Sequence, residues 1–286
     1  MVCAFLVRPV FSYLLTGLAA FAQQQNPSPM VEHTRAHARL AQETPAGLRE
    51  KLTLGTLFVP AKLRTAKHLR LFVHFHGAGW LPEVAAARDG GWAVISVQSG
   101  AGSSAYAKPF SDPALFGDML REASQKTGVS FSRIALTAWS AGYGAIREIL
   151  KVPEYYQRVQ EVLLIDGLHT DYAKGRPGPL ESELNPDPLE IFLKFAQDAV
   201  AGRKTLVITH TEIFPGTYAS TTETADWLLL KLGLKRRAVL RWGPTGTQQL
   251  SEVRVGKFFL AGYAGNSAPD HVDQFQSLPE FLKALR

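Results

Sequence analysis

Ser140 stands in the stretch ALTAWSAGYGA, residues 135–145, with small residues two before and two after it, Ala138 and Gly142. That spacing suits a serine carried on a sharp turn, where a strained backbone pushes the hydroxyl out and only small neighbours avoid collision. The usual pattern is G-x-S-x-G, and Ala138 departs from it by one methyl group. A serine hydroxyl is a poor nucleophile at neutral pH, so the chemistry also asks for a base to take its proton. An acid must then hold that base in one tautomer and stabilise its charged form, and two backbone N–H groups must meet the developing oxyanion. His271, in PDHVDQF, is the base this pattern needs. Asp166 in LLIDGLH and Glu212 in THTE each follow a predicted strand between Ser140 and His271, and Asp270 adjoins the histidine. All three are open as the acid.

Other residues carry competing readings. His74 and His76 are two apart on a predicted strand, which puts them on one face, and an H-x-H pair at a strand end can bind a metal. No carboxylate-rich motif accompanies them, so His76 reads better as an orienting residue for the loop after its strand and His74 as a packing residue. His169 and His210 fit a pocket lining or a hydrogen-bonded loop. Trp80, Trp139 and Tyr143 flank the same features and predict an apolar or aromatic-lined substrate site.

The elements that must position these residues alternate along the chain. RIALTAW before Ser140 is short and apolar, as a buried strand is, and AIREIL after it has helical spacing. LRLFVHFHG, WAVISVQSG, VQEVLLIDG, KTLVITHTE and VGKFFLAGYAG read as further strands, and KLTLGTLFVP as an early half-exposed one. Helical segments lie between them, among them ALFGDMLREASQKTG and TTETADWLLLKLG, each closed by glycine. Strand and helix in alternation predict an α/β fold: one mostly parallel sheet with helices on both faces. In such a sheet the reactive groups gather at the carboxyl ends of the strands, where the candidates above stand.

With the nucleophile, the acid and the histidine in that order, the chain resembles the α/β-hydrolase superfamily. The resemblance rests on His76-Gly77-Ala78-Gly79 after an early strand, AWSAG around Ser140 and PDHVDQF before the last helix, over residues 50–286. It implies a Ser-His-acid triad that forms and hydrolyses an acyl-enzyme. The implied oxyanion donors are the N–H of Ala141 and one from Gly77 or Ala78. Most of the family draw the acid from the strand after next, where Glu212 stands; a minority use the next strand, where Asp166 sits at a clean strand end followed by a glycine and is the preferred acid, with Glu212 as the alternative.

Composition places limits on partners and compartment. The chain has 286 residues, 46% hydrophobic and 20% charged, ordinary for a globular protein. Residues 1–22 have one positive charge, an apolar run and Ala20-Phe21-Ala22, which together predict a cleavable secretory signal. The polar stretch 23–48 is expected to be a flexible leader, 49–286 the hydrolase domain, and the Pro/Gly-rich stretch 172–188 a loop or small cap over the site. The single cysteine, Cys3, would leave with the signal, removing disulfides and thiolate chemistry from the mature chain. The formal charge of +6 is spread over scattered Lys and Arg, with Lys235-Arg236-Arg237 the tight cluster, read as a solvated face. No basic stripe interleaves with aromatics, so no nucleic-acid partner is expected, nor a membrane span once the signal is gone. The expectation is an exported serine hydrolase, a carboxylesterase acting on a small acyl substrate without metal or organic cofactor. The rivals are a noncatalytic binding protein on the same fold and a metal-dependent hydrolase built on His74 and His76.

Overall fold

The computed structural model describes residues 36–174 and 183–285. The expected signal at 1–22, the leader before residue 36 and residues 175–182 of the expected loop lie outside the described residues.

Strands β1 (Gly47–Lys51), β2 (Thr56–Pro60), β3 (His68–Phe75), β4 (Trp92–Val97), β5 (Ser130–Trp139) and β6 (Val159–Ile165) form the first part of the main sheet. A two-stranded ribbon, β7 (Tyr172–Lys174) with β8 (Glu183–Leu184), stands apart from it. The main sheet continues with β9 (Thr205–His210), β10 (Arg237–Trp242), β11 (Gln248–Val255) and β12 (Phe258–Tyr263). Its ten strands run in the order β1-β2-β4-β3-β5-β6-β9-β12-β11-β10. Every pairing from β4 through β3, β5, β6 and β9 to β12 is parallel, and the strands at either end are antiparallel.

The central strands read as unbroken apolar runs because both of their faces are covered. Successive residues feed two cores: Leu71, Val73 and Phe75 of β3 join one, and Phe72 joins the other. The first core is closed by α2 (Ser103–Phe110), α3 (Leu115–Thr127), α4 (Tyr143–Lys151), α6 (Glu190–Val200) and α7 (Thr221–Leu232). Short α5 (Pro153–Arg158) follows α4 and adds Tyr155 and Tyr156. The second core is closed by α1 (Trp80–Asp89), α8 (Ala268–Gln276) and α9 (Leu278–Phe281). The expected α/β sheet with helices on both faces is the observed architecture.

Three details differ from expectation. KLTLGTLFVP is the turn and second strand of a hairpin rather than one strand: Gly55 at φ 92 turns the chain between β2 and a strand β1 that lies almost wholly before the stretch. The hairpin β10–β11 went unread because RAVLRW lacks the period-two alternation of a half-buried strand; Leu240 and Trp242 stay exposed on it. The leader is held down where it is described: His37 Nδ1 lies 2.6 Å from Asp273 Oδ2 and Arg39 Nε donates to Asp273 Oδ1 at 2.9 Å. Asp273 is fully buried on α8, so the hydrogen bond at His37 and the charge of Arg39 offset the cost of a carboxylate inside the fold.

Candidate functional site

Among the described residues, four non-glycine residues have positive φ, and three of them end central strands: His76 after β3 (φ 73), Ser140 after β5 (φ 48) and Asp166 after β6 (φ 44). Such conformations are strained for side-chain-bearing residues and persist where surrounding packing enforces them. At Ser140 the enforcement is visible. Ser140–Gly142 form a tight 3-10 turn into α4, and a Cβ on Gly142 would sit 2.2 Å from the Phe75 carbonyl oxygen. Gly167 presses on the turn from the next strand end, where a Cβ would lie 2.3 Å from the Ser140 carbonyl oxygen. Ala138 is fully buried, with room for its one methyl group.

Asp166 and His271 meet across 105 residues of sequence: His271 Nδ1 lies 2.8 Å from Asp166 Oδ2. Asp166 is 4% exposed and accepts two further hydrogen bonds, from the Thr211 N–H at 2.9 Å and the Thr211 hydroxyl at 2.7 Å. Burial by itself would raise its pKa, but the bonds from His271 and Thr211 outweigh burial and hold the carboxyl below the ordinary aspartate value. Ser140, Asp166 and His271 line one cavity of about 150 Å³, together with His169, Ile213, Pro215 and Tyr218.

Glu212 is elsewhere. Its side chain is 47% exposed, with Oε1 3.9 Å from His210 Nδ1. Asp270, the third carboxylate considered, is buried and caps α8, accepting from the Ser267 hydroxyl at 2.7 Å. His210 is buried behind Thr211. Its Nδ1 lies 3.0 Å from the Thr211 carbonyl oxygen, and its Nε2 lies 2.8 Å from Arg236 Nη1. A guanidinium can only donate, so His210 Nε2 accepts and the proton sits on Nδ1. Burial, followed by the charge of Arg236, lowers the His210 pKa to about 4. Arg236 belongs to the cluster expected as a solvated face, yet its side chain is 21% exposed and Nε donates to Asp226 at 2.7 Å. The reason is the unread hairpin, whose Ser251 also accepts from Arg236.

His74 and His76 do not converge on a common point. The positive φ at His76 breaks the strand alternation on which a shared face depends. Their rings are the ends of a stack, with His74 on Phe275 (5.5 Å), Phe275 on Trp139 (4.8 Å) and Trp139 on His76 (5.1 Å). Both nitrogens of His74 are engaged, by Thr137 Oγ1 at 2.8 Å and the His76 carbonyl at 2.7 Å, and burial drives its pKa to about 3. Trp139 is itself tied to the histidine helix: its Nε1 donates to the His271 carbonyl at 3.0 Å. Among the described residues, His37, Asp270 and Asp273 are the group whose donor atoms lie close enough to hold a metal, but His37 and Arg39 already pair with Asp273.

The segment after β3 departs in part from its expected role. His76, rather than the glycines, lines the cleft beside Ser140. Gly77 N–H donates to Gln98 Oε1 at 2.9 Å, and Gly77 and Trp80 line a separate cavity of about 530 Å³. The turn at His76 and Gly77 (φ 103) carries the chain away from the cleft. Tyr106, fully buried on α2, ties this corner together, with its hydroxyl 2.7 Å from His76 Nδ1 and 3.1 Å from Gln98 Oε1. Burial, followed by the nearby His271, lowers the His76 pKa.

Ala141 and Tyr143 line a cleft of about 610 Å³ that opens from Ser140. Its walls include Ser103 and Ser104 of α2, Arg147 of α4, and Thr170, Asp171 and Tyr218. Of these, only Tyr143 and Ala141 are legible from their place beside the serine. Thr211 stands between two residues that sequence reasoning did single out, His210 and Glu212. Tyr106, Gln98 and Arg147 carry no local signal, because their importance comes from what the fold sets against them.

No family model matches the sequence, and a search of curated proteins finds no relative. Solved structures do share its architecture. An esterase from Pyrobaculum calidifontis superposes with a TM-score of 0.50 at 14% identity, covering 84% of this chain and 85% of that one. Acetyl xylan esterase from Aspergillus awamori aligns at 15% identity over 79% of this chain and 93% of its own, with a TM-score of 0.46. An S-formylglutathione hydrolase from Agrobacterium tumefaciens aligns at 11% identity over 86% and 97%, with a TM-score of 0.45. The strand order, the crossover at β4-β3, the turn at Ser140 and the Pyrobaculum calidifontis neighbour agree: the chain has the α/β-hydrolase fold.

Proposed function

We propose that this protein is an exported serine hydrolase acting on carboxylic esters, with Ser140 as nucleophile, His271 as general base and Asp166 as the acid behind it. The observation that carries the reading is the 2.8 Å contact between His271 Nδ1 and a buried, doubly supported Asp166, in a cavity that Ser140 also lines. With Asp166 accepting from Nδ1–H, His271 Nε2 is free to take the Ser140 proton as Oγ attacks the ester carbonyl. The tetrahedral oxyanion would be met by the N–H of Ala141. A second donor from Gly77 or Ala78 is what the resemblance implies; in this structure Gly77 N–H is given to Gln98. Collapse expels the alcohol with the proton from His271 and leaves an acyl-serine, and water attacking through the same base releases the acid.

This chemistry serves esters, thioesters and amides alike. The esterase name of the Pyrobaculum calidifontis neighbour is the reason for specifying an ester.

The test is labelling of the purified protein by a fluorophosphonate probe, beside turnover of 4-nitrophenyl butyrate. Label on Ser140, with both label and turnover lost in Ser140→Ala, is the expected result. An unlabelled protein and full turnover in Ser140→Ala would overturn the reading. Export is tested by N-terminal sequencing of the mature protein, which should begin at Gln23 outside the cytoplasm.

A further inference from the structure

Among the described residues, Arg147 is the one Lys or Arg that lines the cleft beside Ser140. It lies about two turns along α4 from Ser140, on the same helix as Tyr143. Its side chain is 19% exposed, so most of it is packed against the fold. Among the described residues its single hydrogen-bond acceptor is Glu148 Oε1, which takes the Nε proton at 2.8 Å. That carboxylate is not its own: Lys151 Nζ reaches both Glu148 oxygens, at 3.1 and 2.9 Å. Two cations share one anion, and the outer edge of the guanidinium, Nη1 and Nη2, keeps its donors for something else. Asp171 is exposed at the same cleft and makes no ion pair with Arg147 among the described residues.

A guanidinium edge without a protein acceptor among the described residues, facing a cleft, is available to an anionic ligand that displaces its water. The planar fork of Nη1 and Nη2 matches the two oxygens of a carboxylate. The exposed hydroxyl of Ser104 on the same cleft offers a further donor to an anion, whereas Thr170 gives its proton to the Asn185 carbonyl at 2.8 Å. We propose that the preferred ester carries a free carboxylate remote from the scissile bond, and that Arg147 binds it. Arg147 is then the specificity-determining residue of the cleft. This rests on the serine-hydrolase reading above and narrows its substrate class.

The experiment compares matched esters. On the acyl side the pair is the 4-nitrophenyl monoester of glutaric acid against 4-nitrophenyl valerate; on the alcohol side it is 4-carboxyphenyl butyrate against phenyl butyrate. In one of the two pairs the charged member should have the higher kcat/KM, by about tenfold or more, the span of one charge-assisted pair. Arg147→Ala should bring that ratio towards one, chiefly by raising KM for the charged ester, and Arg147→Lys should restore part of it. Should Arg147→Ala fold poorly, inhibition of the unsubstituted protein decides instead: glutarate should compete with the neutral ester and glutaramide should not. No preference for the charged member in either pair, or a preference that survives Arg147→Ala, overturns the proposal. If neutral esters are still turned over through Ser140 in that case, only this proposal fails. If turnover survives Ser140→Ala, it is the parent reading that has failed.

Discussion

The ends of β6 and β9 are neighbours in the sheet, each carries a carboxylate, and the two carboxylates live in opposite surroundings. Asp166, at the end of β6, is 4% exposed, takes three hydrogen bonds through its carboxylate, and gives its own N–H to the Thr209 carbonyl at 2.7 Å. Glu212, just past the end of β9, is half in solvent, with His210 3.9 Å away. The residue between them in space is Thr211, and it turns both of its donors to Asp166. What makes a buried carboxylate usable is thus the set of donors facing it, supplied here by the neighbouring strand. Strand-end position alone selects neither residue.

Asp166→Asn is the sharpest way to test that contrast. It should lower kcat for a simple ester by about 10³ to 10⁴-fold with KM little changed, because an amide cannot hold the charged imidazole in its tautomer. Next in size is Thr211→Val, which strips a hydroxyl from Asp166 Oδ2. We expect about tenfold in kcat and a loss of about 1–2 kcal/mol in urea-induced unfolding; an unaltered kcat would mean that Thr211 does not support the acid. Arg236→Met acts two residues further back, through His210, and a drop of a few-fold in kcat should come with an unchanged KM. Glu212→Gln should stay within about twofold in activity and about 0.5 kcal/mol in stability, as exposed substitutions do. A collapse of activity there, with Asp166→Asn active, would falsify the assignment of the acid.

Acid denaturation separates the same pair by sign. Asp166 has a lowered pKa in the fold, so its stabilisation is present above the unfolded value and is lost as pH falls through the folded one. Asp166→Asn should therefore flatten the acid limb of a stability–pH curve. Glu212 has a raised pKa, by burial only partly offset by Arg236, and its small contribution runs the other way, declining as pH rises. Solvent screening of its half-exposed side chain keeps Glu212→Gln close to the unsubstituted curve.

Much of this molecule was readable before its structure. The strand before Ser140, the helix after it and the small residues at positions 138 and 142 are short-range features, and Gly142 packs against Phe75 as a sharp turn demands. The apolar runs of β3 to β6 announced a sheet covered on both faces. The glycine after Asp166 was visible, though its purpose was not: it lets β6 end against the backbone of Ser140. The β10–β11 hairpin escaped because Arg237, Ala238, Leu240, Arg241 and Trp242 are all exposed, leaving no apolar face to give a period. Its strands are held by their ladder and by ion pairs of Arg237 and Arg241 with Glu252, which hydrophobic patterning does not register.

The sequence by itself determined the local elements and the order of serine, carboxylate and histidine along the chain, since turn sterics and apolar periodicity act over a few residues. Tertiary structure decided which carboxylate meets His271, which residue after β3 lines the cleft, and that His37 and Arg39 anchor the histidine helix. Those outcomes depend on contacts between residues 105 and more than 230 positions apart, fixed by strand order and by the donors each strand end offers its neighbour. Asp166 and Glu212 each follow an apolar strand in the sequence; Thr211 shows which of them is held for His271 only when β6 and β9 lie side by side.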